Sequence, residues 1–530
     1  MALRNLIALL LSLPLGACPR ALPELADTGP AETDAQSNAL APPSSLTLVD
    51  PSSPVANDST PTVRAGGVTA GLTVSLFASD SCDPGALVGN ATAKGTTVEI
   101  TTAALPAGVT QLHAAARDPA GRSSSCSQAS LTYEYVHPVG VALGLAHGCT
   151  VLSSGRVACS GANGSGQLGD GTTSDSLVPV YVGGITSATA VTCGMEHSCA
   201  LLADRSVRCW GQGRSGQLGN DGVAASSRPV PVKDIATATA IGARAATDWT
   251  GSHTCALLAD GTVRCWGANA AGYLGNNSTE GSSTPVQALK LSGVERLGVG
   301  ATHSCAVKGD GTAYCWGRNN AGQLGDSTTD DRLVPTEVAG DITSFVQVEA
   351  GQGVSCGLLG DQSVRCWGSG AWGATGLESW DEHHLPTPVP GLTSVVEVIA
   401  GSYRTCVRLV DGTTRCTGIN LAGQIPGLDG PDEATFTPVV GITNARGLAM
   451  GGYTSCAITA DHFLQCWGGS TLSTMTWIIL ALSGAAPDNR SCRTTALVGG
   501  VRARAVQGTA QTSSINPERG RLLKFNVSIV

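Results

Sequence analysis

The sequence has 530 residues, of which 40 are acidic and 31 basic, and its formal net charge is −9. The basic residues do not cluster, which excludes the positive footprint of a nucleic-acid-binding protein, so we expect no nucleic-acid partner. Sixty-nine glycines favour a protein with many turns, and nineteen cysteines favour an oxidising compartment outside the cytosol.

Residues 1–18 have the pattern of an export signal. A positively charged start precedes an apolar core over Leu6–Leu15 that is too short to span a bilayer. The sequence Leu-Gly-Ala-Cys ending at Cys18 resembles the lipobox of bacterial lipoproteins, in which this cysteine is lipidated. An ordinary secretory signal with an incidental cysteine is the alternative. Because Pro19 follows instead of Asp, we expect a lipid anchor in the outer membrane or at the cell surface.

Two different segments follow the signal. Residues 19–44 are rich in Ala, Pro and acidic side chains and predict a flexible tether. Residues 45–136 contain short segments of alternating polarity, such as Leu72–Phe77, and resemble a bacterial immunoglobulin-like β-sandwich. Cys82 and Cys126 are its only cysteines, and we expect them to form a disulfide. We expect the module itself to serve as a spacer.

Residues 137–469 repeat one pattern, which is clearest in His253–Gly275 (HTCALLADGTVRCWGANAAGYLG). The first cysteines of successive copies are 50 to 56 residues apart. A fixed period near fifty predicts a propeller or solenoid array. The seven first cysteines are Cys149, Cys199, Cys255, Cys305, Cys356, Cys406 and Cys456.

Each copy predicts a β-hairpin. A three-residue turn with Gly261 in a left-handed conformation pairs Leu258 with Thr262, and therefore Cys255 with Cys265. Opposite residues of antiparallel strands are close enough for a disulfide, although a buried free thiol in each strand is the alternative. The same spacing predicts the pairs Cys149–Cys159, Cys199–Cys209, Cys255–Cys265, Cys305–Cys315, Cys356–Cys366, Cys406–Cys416 and Cys456–Cys466.

The repeated motif H-S/T-C-A-L-x-x-D-G-x-V-x-C-W-G-x-N-x-x-G-Q-L-G resembles that of the regulator of chromosome condensation family. The resemblance implies an all-β protein with a seven-bladed propeller of four-stranded sheets. It implies little about function, because propellers host unrelated activities. The eukaryotic namesake is a nucleotide-exchange factor that docks on chromatin. An exported protein would be separated both from the protein that undergoes nucleotide exchange and from chromatin.

Proline-containing segments such as Arg228–Val232 predict the outer strand of each blade. Six such segments accompany seven hairpins, so one outer strand is missing, which we place before Cys149. Thr495–Val501 resembles Pro179–Ile185. Within the irregular tail, 470–530, we therefore expect residues 495–506 to supply the strand and close the ring. A degenerate eighth repeat is the alternative.

Several residues at fixed repeat positions invite a functional interpretation. Histidines recur two residues before the first cysteine, but a metal site would need them to converge, and we expect each to hold the backbone of its own blade. Tryptophans after the second cysteine predict packing, and Cys193 predicts a buried, inert thiol. Cys492 has no evident partner. The histidines are His147, His197, His253 and His303, and the tryptophans are Trp210, Trp266, Trp316, Trp367 and Trp467.

Two stretches outside the repeat pattern are candidate binding loops. A six-residue insertion near 243–249 contains Asp248 and Trp249, and Trp380, in a loop after blade five, precedes His383 and His384. Loops on a rigid scaffold often carry recognition, and Trp is common at binding hot spots. A metal site formed with these two histidines is the alternative, but adjacent residues seldom all point inward.

The sequence predicts a monomeric, envelope-anchored propeller that binds a protein or a glycan without a cofactor. It contains no nucleophile elbow, phosphate loop or HExxH motif. An envelope hydrolase or lyase acting in the propeller channel is the alternative. Nucleotide exchange is the function that we expect least.

Overall fold

A computed structural model describes residues 40–51, 55–244, 252–421, 423–428 and 430–468. The described residues form 35 β-strands and two short 3₁₀ helices, so the all-β class is confirmed. No helix in these ranges is long and apolar enough to cross a membrane. The predictions for Cys18, Asp248, Trp249, Cys492 and residues 495–506 fall outside the described residues.

The N-terminal module consists of two sheets that share one core. One sheet has the order β1-β3-β6 and the other β2-β8-β7-β4-β5. The disulfide between Cys82 and Cys126 is formed, with the two Cα atoms 5.5 Å apart. The immunoglobulin-like assignment stays a prediction. The elements are β1 (Ser45–Asp50), β2 (Val55–Ala56), β3 (Thr62–Gly66), β4 (Thr73–Phe77), a 3₁₀ helix (Pro84–Ala86), β5 (Leu87–Thr92), β6 (Thr97–Thr101), β7 (Gly108–Arg117) and β8 (Leu131–Tyr135).

Seven antiparallel sheets, called blades one to seven, follow along the chain, each beginning with its inner strand. Blade one has β9 (Pro138–Leu143), β10 (His147–Leu152), β11 (Val157–Gly161) and β12 (Ser176–Tyr181), blade two has β13 (Ala188–Cys193), β14 (His197–Leu202), β15 (Val207–Gly211) and β16 (Ser226–Pro231), and blade three has β17 (Ala238–Ala243), β18 (His253–Leu258), β19 (Val263–Gly267) and β20 (Ser282–Gln287). Blade four has β21 (Val294–Val299), β22 (His303–Lys308), β23 (Ala313–Gly317) and β24 (Arg332–Glu337), and blade five has β25 (Phe345–Ala350), β26 (Val354–Leu359), β27 (Val364–Gly368) and β28 (His383–Pro388). Blade six has β29 (Val395–Ala400), β30 (Arg404–Leu409), β31 (Thr414–Ile419) and β32 (Asp432–Pro438), and blade seven has β33 (Ala445–Met450), β34 (Thr454–Thr459) and β35 (Leu464–Gly468). A second 3₁₀ helix spans Ala371–Gly373.

The hairpins have the predicted register. The Leu258 amide donates to the Thr262 carbonyl at 2.9 Å, Gly261 has φ +76°, and Cys255 lies opposite Cys265. A disulfide joins the corresponding cysteines in every blade, with Cα atoms 4.0–4.1 Å apart. The bonded pairs are Cys149–Cys159, Cys199–Cys209, Cys255–Cys265, Cys305–Cys315, Cys356–Cys366, Cys406–Cys416 and Cys456–Cys466.

The inner strands contact one another in sequence, and β33 of blade seven contacts β9 of blade one, so the blades form a closed ring. At the closure the Gly452 amide donates to the Gly144 carbonyl at 3.2 Å. Leu143 and Leu152 of blade one share a buried cluster with Ala449 of blade seven. The ring therefore closes by direct packing of its first and last blades.

The expectation that an outer strand is missing before Cys149 was wrong. Blade one is a complete four-stranded sheet, because the outer strand β12 follows the hairpin along the chain and pairs with β11. In the part of the chain that the structure describes, it is blade seven that has only three strands. The period of a repeat does not show whether the outer strand of a sheet precedes or follows its hairpin. The sequence analysis therefore assigned the missing outer strand to the wrong blade.

The antiparallel strand order gives each blade two ends. We call the end with the first-to-second and third-to-outer connections the loop end, and the end with the hairpin turns the turn end. The sandwich contacts the turn end of blades one and seven. The Asn57 side chain donates to the His462 carbonyl of blade seven at 3.0 Å, and a carboxylate oxygen of Glu134 in β8 lies 3.8 Å from the Arg156 guanidinium of blade one.

Candidate binding surface

The repeated histidines join neighbouring blades. Each is fully buried, with Nε2 at 2.8–2.9 Å from a hydroxyl of the next blade. The expectation that they hold the backbone of their own blade was wrong, because the side chain crosses the boundary between sheets. The pairs are His147 with Ser198, His197 with Thr254, His253 with Ser304 and His303 with Ser355.

The repeated tryptophans have a related role. Trp210 of blade two is fully buried, and its indole nitrogen donates to the Gln167 carbonyl of blade one at 2.8 Å. Trp266 makes the same bond to Gln217 at 2.9 Å. These side chains fill the boundaries between blades and are not accessible to a ligand.

His383 and His384 begin the outer strand of blade five. The Nε2 atom of His384 lies 3.6 Å from a carboxylate oxygen of Glu382, whereas Nε2 of His383 is buried without a hydrogen-bond partner in the described structure. Among the described residues no three His, Cys, Asp or Glu side chains are grouped to hold a metal ion. The geometry therefore gives no support to a metal site at these two histidines.

Trp380 lies between the third and outer strands of blade five, not after the blade as the sequence suggested. The residue is 53% exposed. Trp372 lies in the same connection, is 40% exposed and has φ +61°, a backbone conformation that is unusual for a bulky residue. The loop end of blade five therefore presents two accessible indole rings.

The sequence analysis did not identify Trp372 as a candidate binding residue, although an alignment of the repeats shows a Trp at a position that is otherwise occupied by a small residue. Gly373 makes the turn hydrogen bond that Gly166, Gly216, Gly272 and Gly322 make in blades one to four. The residue before this glycine is small in each of those blades and is Trp only in blade five. The small residues are Ser165, Ser215, Ala271 and Ala321.

A glycine substitution shapes the blade-five connection. In blade one the Asn163 side chain fills this connection and donates to the Thr172 and Ser174 carbonyls at 3.2 and 3.0 Å. Gly370 takes this position in blade five, as Gly213 does in blade two, and a Cβ on Gly370 would clash with the backbone at Trp380 and Asp381. The absence of a side chain lets the segment that carries Trp380 fold against the one that carries Trp372.

Acidic residues lie in the same connection as the two tryptophans and beside it. Glu378, Asp381 and Glu382 are exposed in the same connection. The Glu378 amide donates to the carbonyl of Ala434 at 3.1 Å, which places the connection beside β32 of blade six, where Glu433 lies. We call Trp372, Trp380 and these four carboxylates the acidic aromatic patch.

Arg244 crosses the channel mouth at the loop end. It follows β17 and donates to the Val299 and Met450 carbonyls, both at 3.3 Å, and its guanidinium lies 3.1 Å from the Glu349 carboxylate. Burial lowers the pKa of Arg244 and raises that of Glu349, and the mutual attraction of the pair opposes both shifts. Arg244, which lies within the candidate loop near 243–249, is thus fixed to blades four, five and seven.

The channel carboxylates are engaged in contacts within the propeller. Glu397 accepts from Arg408 at 2.7 Å and from the Leu448 amide at 3.2 Å, and Glu349 pairs with Arg244. A depression of about 340 Å³ lies beside Glu349 and is also lined by Arg296. Neither carboxylate stands free as an acid–base group, which gives a channel hydrolase or lyase little support.

Comparisons with known proteins agree with this architecture. The sequence matches the regulator of chromosome condensation (RCC1) repeat at residues 154–201 and 310–358, and again at 188–217, 250–272 and 294–323. No curated protein matches the chain in sequence.

Among the solved structures that resemble the chain are two from yeast and one from human. Yeast RCC1 (Prp20), bound to Kap60, has 20% identity and a TM-score of 0.52, and the match covers 63% of this chain and 81% of that one. Human WBSCR16 has 20% identity and a TM-score of 0.53, with 72% and 97% covered. Prp20p from Saccharomyces cerevisiae has 19% identity and a TM-score of 0.53, with 77% and 94% covered. At these identities the likeness shows a shared propeller fold.

Proposed function

The chain carries repeats of the regulator of chromosome condensation family, and we propose that its propeller is a non-catalytic scaffold that binds a protein partner through the loop end. The acidic aromatic patch is the observation that carries this proposal. Two tryptophans are exposed in one connection, and tryptophan is among the residue types that most often anchor an interface. The related structures include one of yeast RCC1 bound to Kap60 and one described with binding properties of Prp20p to Gsp1p and histones.

The carboxylates around Trp372 and Trp380 favour a partner segment with Lys or Arg side chains. Cations stack on indole faces, and carboxylates nearby supply complementary charge. The net charge of −9 acts in the same direction over a longer range. Binding is therefore expected to weaken as ionic strength rises.

We also propose that the protein acts as a monomer anchored to the bacterial envelope through Cys18. The sandwich, which follows the tether, contacts the turn end of the propeller. It therefore leaves the loop end, with the acidic aromatic patch, open to a partner.

The test compares capture of a crosslinked partner from native envelopes by the full-length protein and by two variants. The double variant Trp372→Ala/Trp380→Ala should lose the partner. Val410→Ala is the matched control, because Val410 is 62% exposed in a turn at the opposite end. Retention by the double variant, or equal loss with Val410→Ala, would overturn the proposal.

Two further arms separate the other functions. If the protein binds purified envelope glycans and the double variant does not, the partner is a glycan and not a protein. Turnover of an envelope substrate that Glu349→Gln abolishes would replace the scaffold with an enzyme. Nucleotide exchange requires a nucleotide-binding partner, so capture of such a partner through the loop end would support it in place of a simple scaffold.

A further inference from the structure

Arg404 of blade six stands at the repeat position that histidine occupies in blades one to four. The residue is fully buried, and its Nη2 atom donates to the Gly451 and Thr454 carbonyls of blade seven at 3.2 and 2.7 Å. Arg404 therefore crosses a blade boundary, as the histidines do. Unlike them, it brings a positive charge into the interior of the propeller.

Most of the Arg404 guanidinium has no acceptor. Its Nε and Nη1 atoms are buried without a hydrogen-bond partner in the described part of the chain. A guanidinium has five N–H groups, so the one on Nε and the two on Nη1 are unused. A buried donor without an acceptor costs free energy, and a buried charge without a counter-charge costs more. Such a group in a folded protein often marks the place of a water molecule or an ion.

The carboxylates of the channel are already engaged. Glu349 lies 3.1 Å from Arg244, and Glu397 lies 2.7 Å from Arg408. Burial, followed by the charge of Arg244, lowers the pKa of Arg404 to about 9, so its guanidinium is still charged at neutral pH. Among the described residues no carboxylate therefore neutralises Arg404.

Arg244 brings a second positive charge close to Arg404. It donates to the Met450 carbonyl at 3.3 Å, and Arg404 donates to the carbonyl of the next residue, Gly451. The carboxylate of Glu349 compensates only one of the two guanidiniums. A surplus positive charge thus lies at the boundary between blades six and seven.

We propose that Arg404 binds a small monovalent anion, of which chloride is the type, at this boundary. The anion would accept hydrogen bonds from the unused N–H groups and supply the negative charge that the surrounding residues do not. Because Nε and Nη1 are both closed to solvent, a halide fits this place better than a phosphate or another large anion. The proposal concerns the stability of the propeller and does not rest on the proposed function.

The other blades suggest the variant that tests the site. In blades one to four the histidine Nε2 atom lies 2.8–2.9 Å from a hydroxyl of the next blade. The equivalent hydroxyl in blade seven is that of Ser455, which is buried without a partner among the described residues. Arg404→His should therefore bond to Ser455, keep the boundary packed and remove the buried charge.

The chloride dependence of unfolding tests the proposal. Urea unfolding of the full-length protein is measured while gluconate replaces chloride stepwise at constant ionic strength. Raising free chloride from its dissociation constant to about 100 times that value should lower the unfolding equilibrium constant about 50-fold. Arg404→His should lose this dependence, and Arg214→His, the same substitution at an exposed arginine, should retain it. A wild type without chloride dependence, or an Arg404→His variant that keeps it, would overturn the proposal.

A second measurement covers the case in which Arg404→His does not fold. Crystals of the wild-type full-length protein grown in bromide should show an anomalous peak within hydrogen-bonding distance of Nε or Nη1 of Arg404. Bromide peaks confined to exposed cations, or a carboxylate of the chain itself in contact with these two atoms, would overturn the assignment of a bound anion.

Discussion

The Nε2 atom of His197 lies 2.8 Å from the Oγ1 atom of Thr254, across the boundary between blades two and three. The Thr254 hydroxyl donates onward to the Gln217 carbonyl at 3.4 Å, so it accepts its other hydrogen bond from the imidazole. Burial, followed by the charges of His147 and His253, lowers the pKa of His197 to about 3. The folded propeller therefore holds this histidine in its neutral form.

Stability is expected to fall in mild acid. Burial also lowers the pKa values of His147 and His253 to about 4 and that of His303 to about 3. Because the unfolded histidines titrate near pH 6.5, the unfolded chain binds more protons below that pH, and stability is lost as the pH falls towards the folded values. Each histidine should remove about 1.4 kcal/mol per pH unit. Urea unfolding followed by tryptophan fluorescence, from about pH 7.5 to about pH 4.5, measures the slope.

The variant His197→Gln isolates one histidine. It should be less stable than the wild type at neutral pH but lose about 2–3 kcal/mol less over the same acid range, because one titrating group is gone. Val410→Ala, a substitution of an exposed turn residue that does not titrate, is the control and should leave the slope unchanged. An unchanged slope in His197→Gln would contradict the interpretation.

The free thiol of Cys193 should resist alkylation in the native protein. Cys193 is fully buried on the inner strand of blade two, and burial raises its pKa to about 12. Since the thiolate is the reactive form, iodoacetamide at about pH 8 should leave this residue unmodified until denaturant is added. Peptide mass spectrometry without reductant also counts the disulfides, and carbamidomethyl groups on the blade cysteines would contradict their pairing.

Trp210→Phe should destabilise the propeller by about 1–3 kcal/mol, because it removes a buried hydrogen bond to Gln167 and leaves a small void. Trp380→Phe should change stability by less than about 0.5 kcal/mol, because this indole is 53% exposed. Urea denaturation of both variants measures the difference. Equal decreases in the free energy of unfolding would show that burial at the blade boundary does not determine the destabilisation.

The hairpins were predictable from sequence because a short turn fixes which residues are opposite. Gly261 and Asp260 determine the turn, and the Cys255–Cys265 pairing follows from it. The partner of His197 was not predictable in this way, because Thr254 belongs to the next blade and lies 57 residues away in the chain. Local spacing carries no information on how two sheets meet.

The candidate surface was predictable only in part. Trp380 stood out as a residue type, but its exposure beside Trp372 depends on how the backbone folds over Gly370. The contact of Arg244 with Glu349 joins residues 105 apart. Such contacts depend on closure of the whole ring, which no single repeat encodes.

The last prediction concerns the Arg244–Glu349 pair, whose side chains are 11% and 17% exposed. Arg244→Met should cost about 3–5 kcal/mol, because it leaves the Glu349 carboxylate buried without its partner. The double variant Arg244→Met/Glu349→Met should recover most of that loss, because neither charge remains to be desolvated.

Arg64→Met is the control. Arg64 pairs with Glu99 at 2.6 Å, but both side chains are 50% exposed, so the loss should be below about 1 kcal/mol. Chemical denaturation of the wild type, Arg244→Met, Glu349→Met and the double variant completes the cycle. A double variant no more stable than Arg244→Met would show that the guanidinium bonds to Val299 and Met450, and not the ion pair, stabilise the channel mouth.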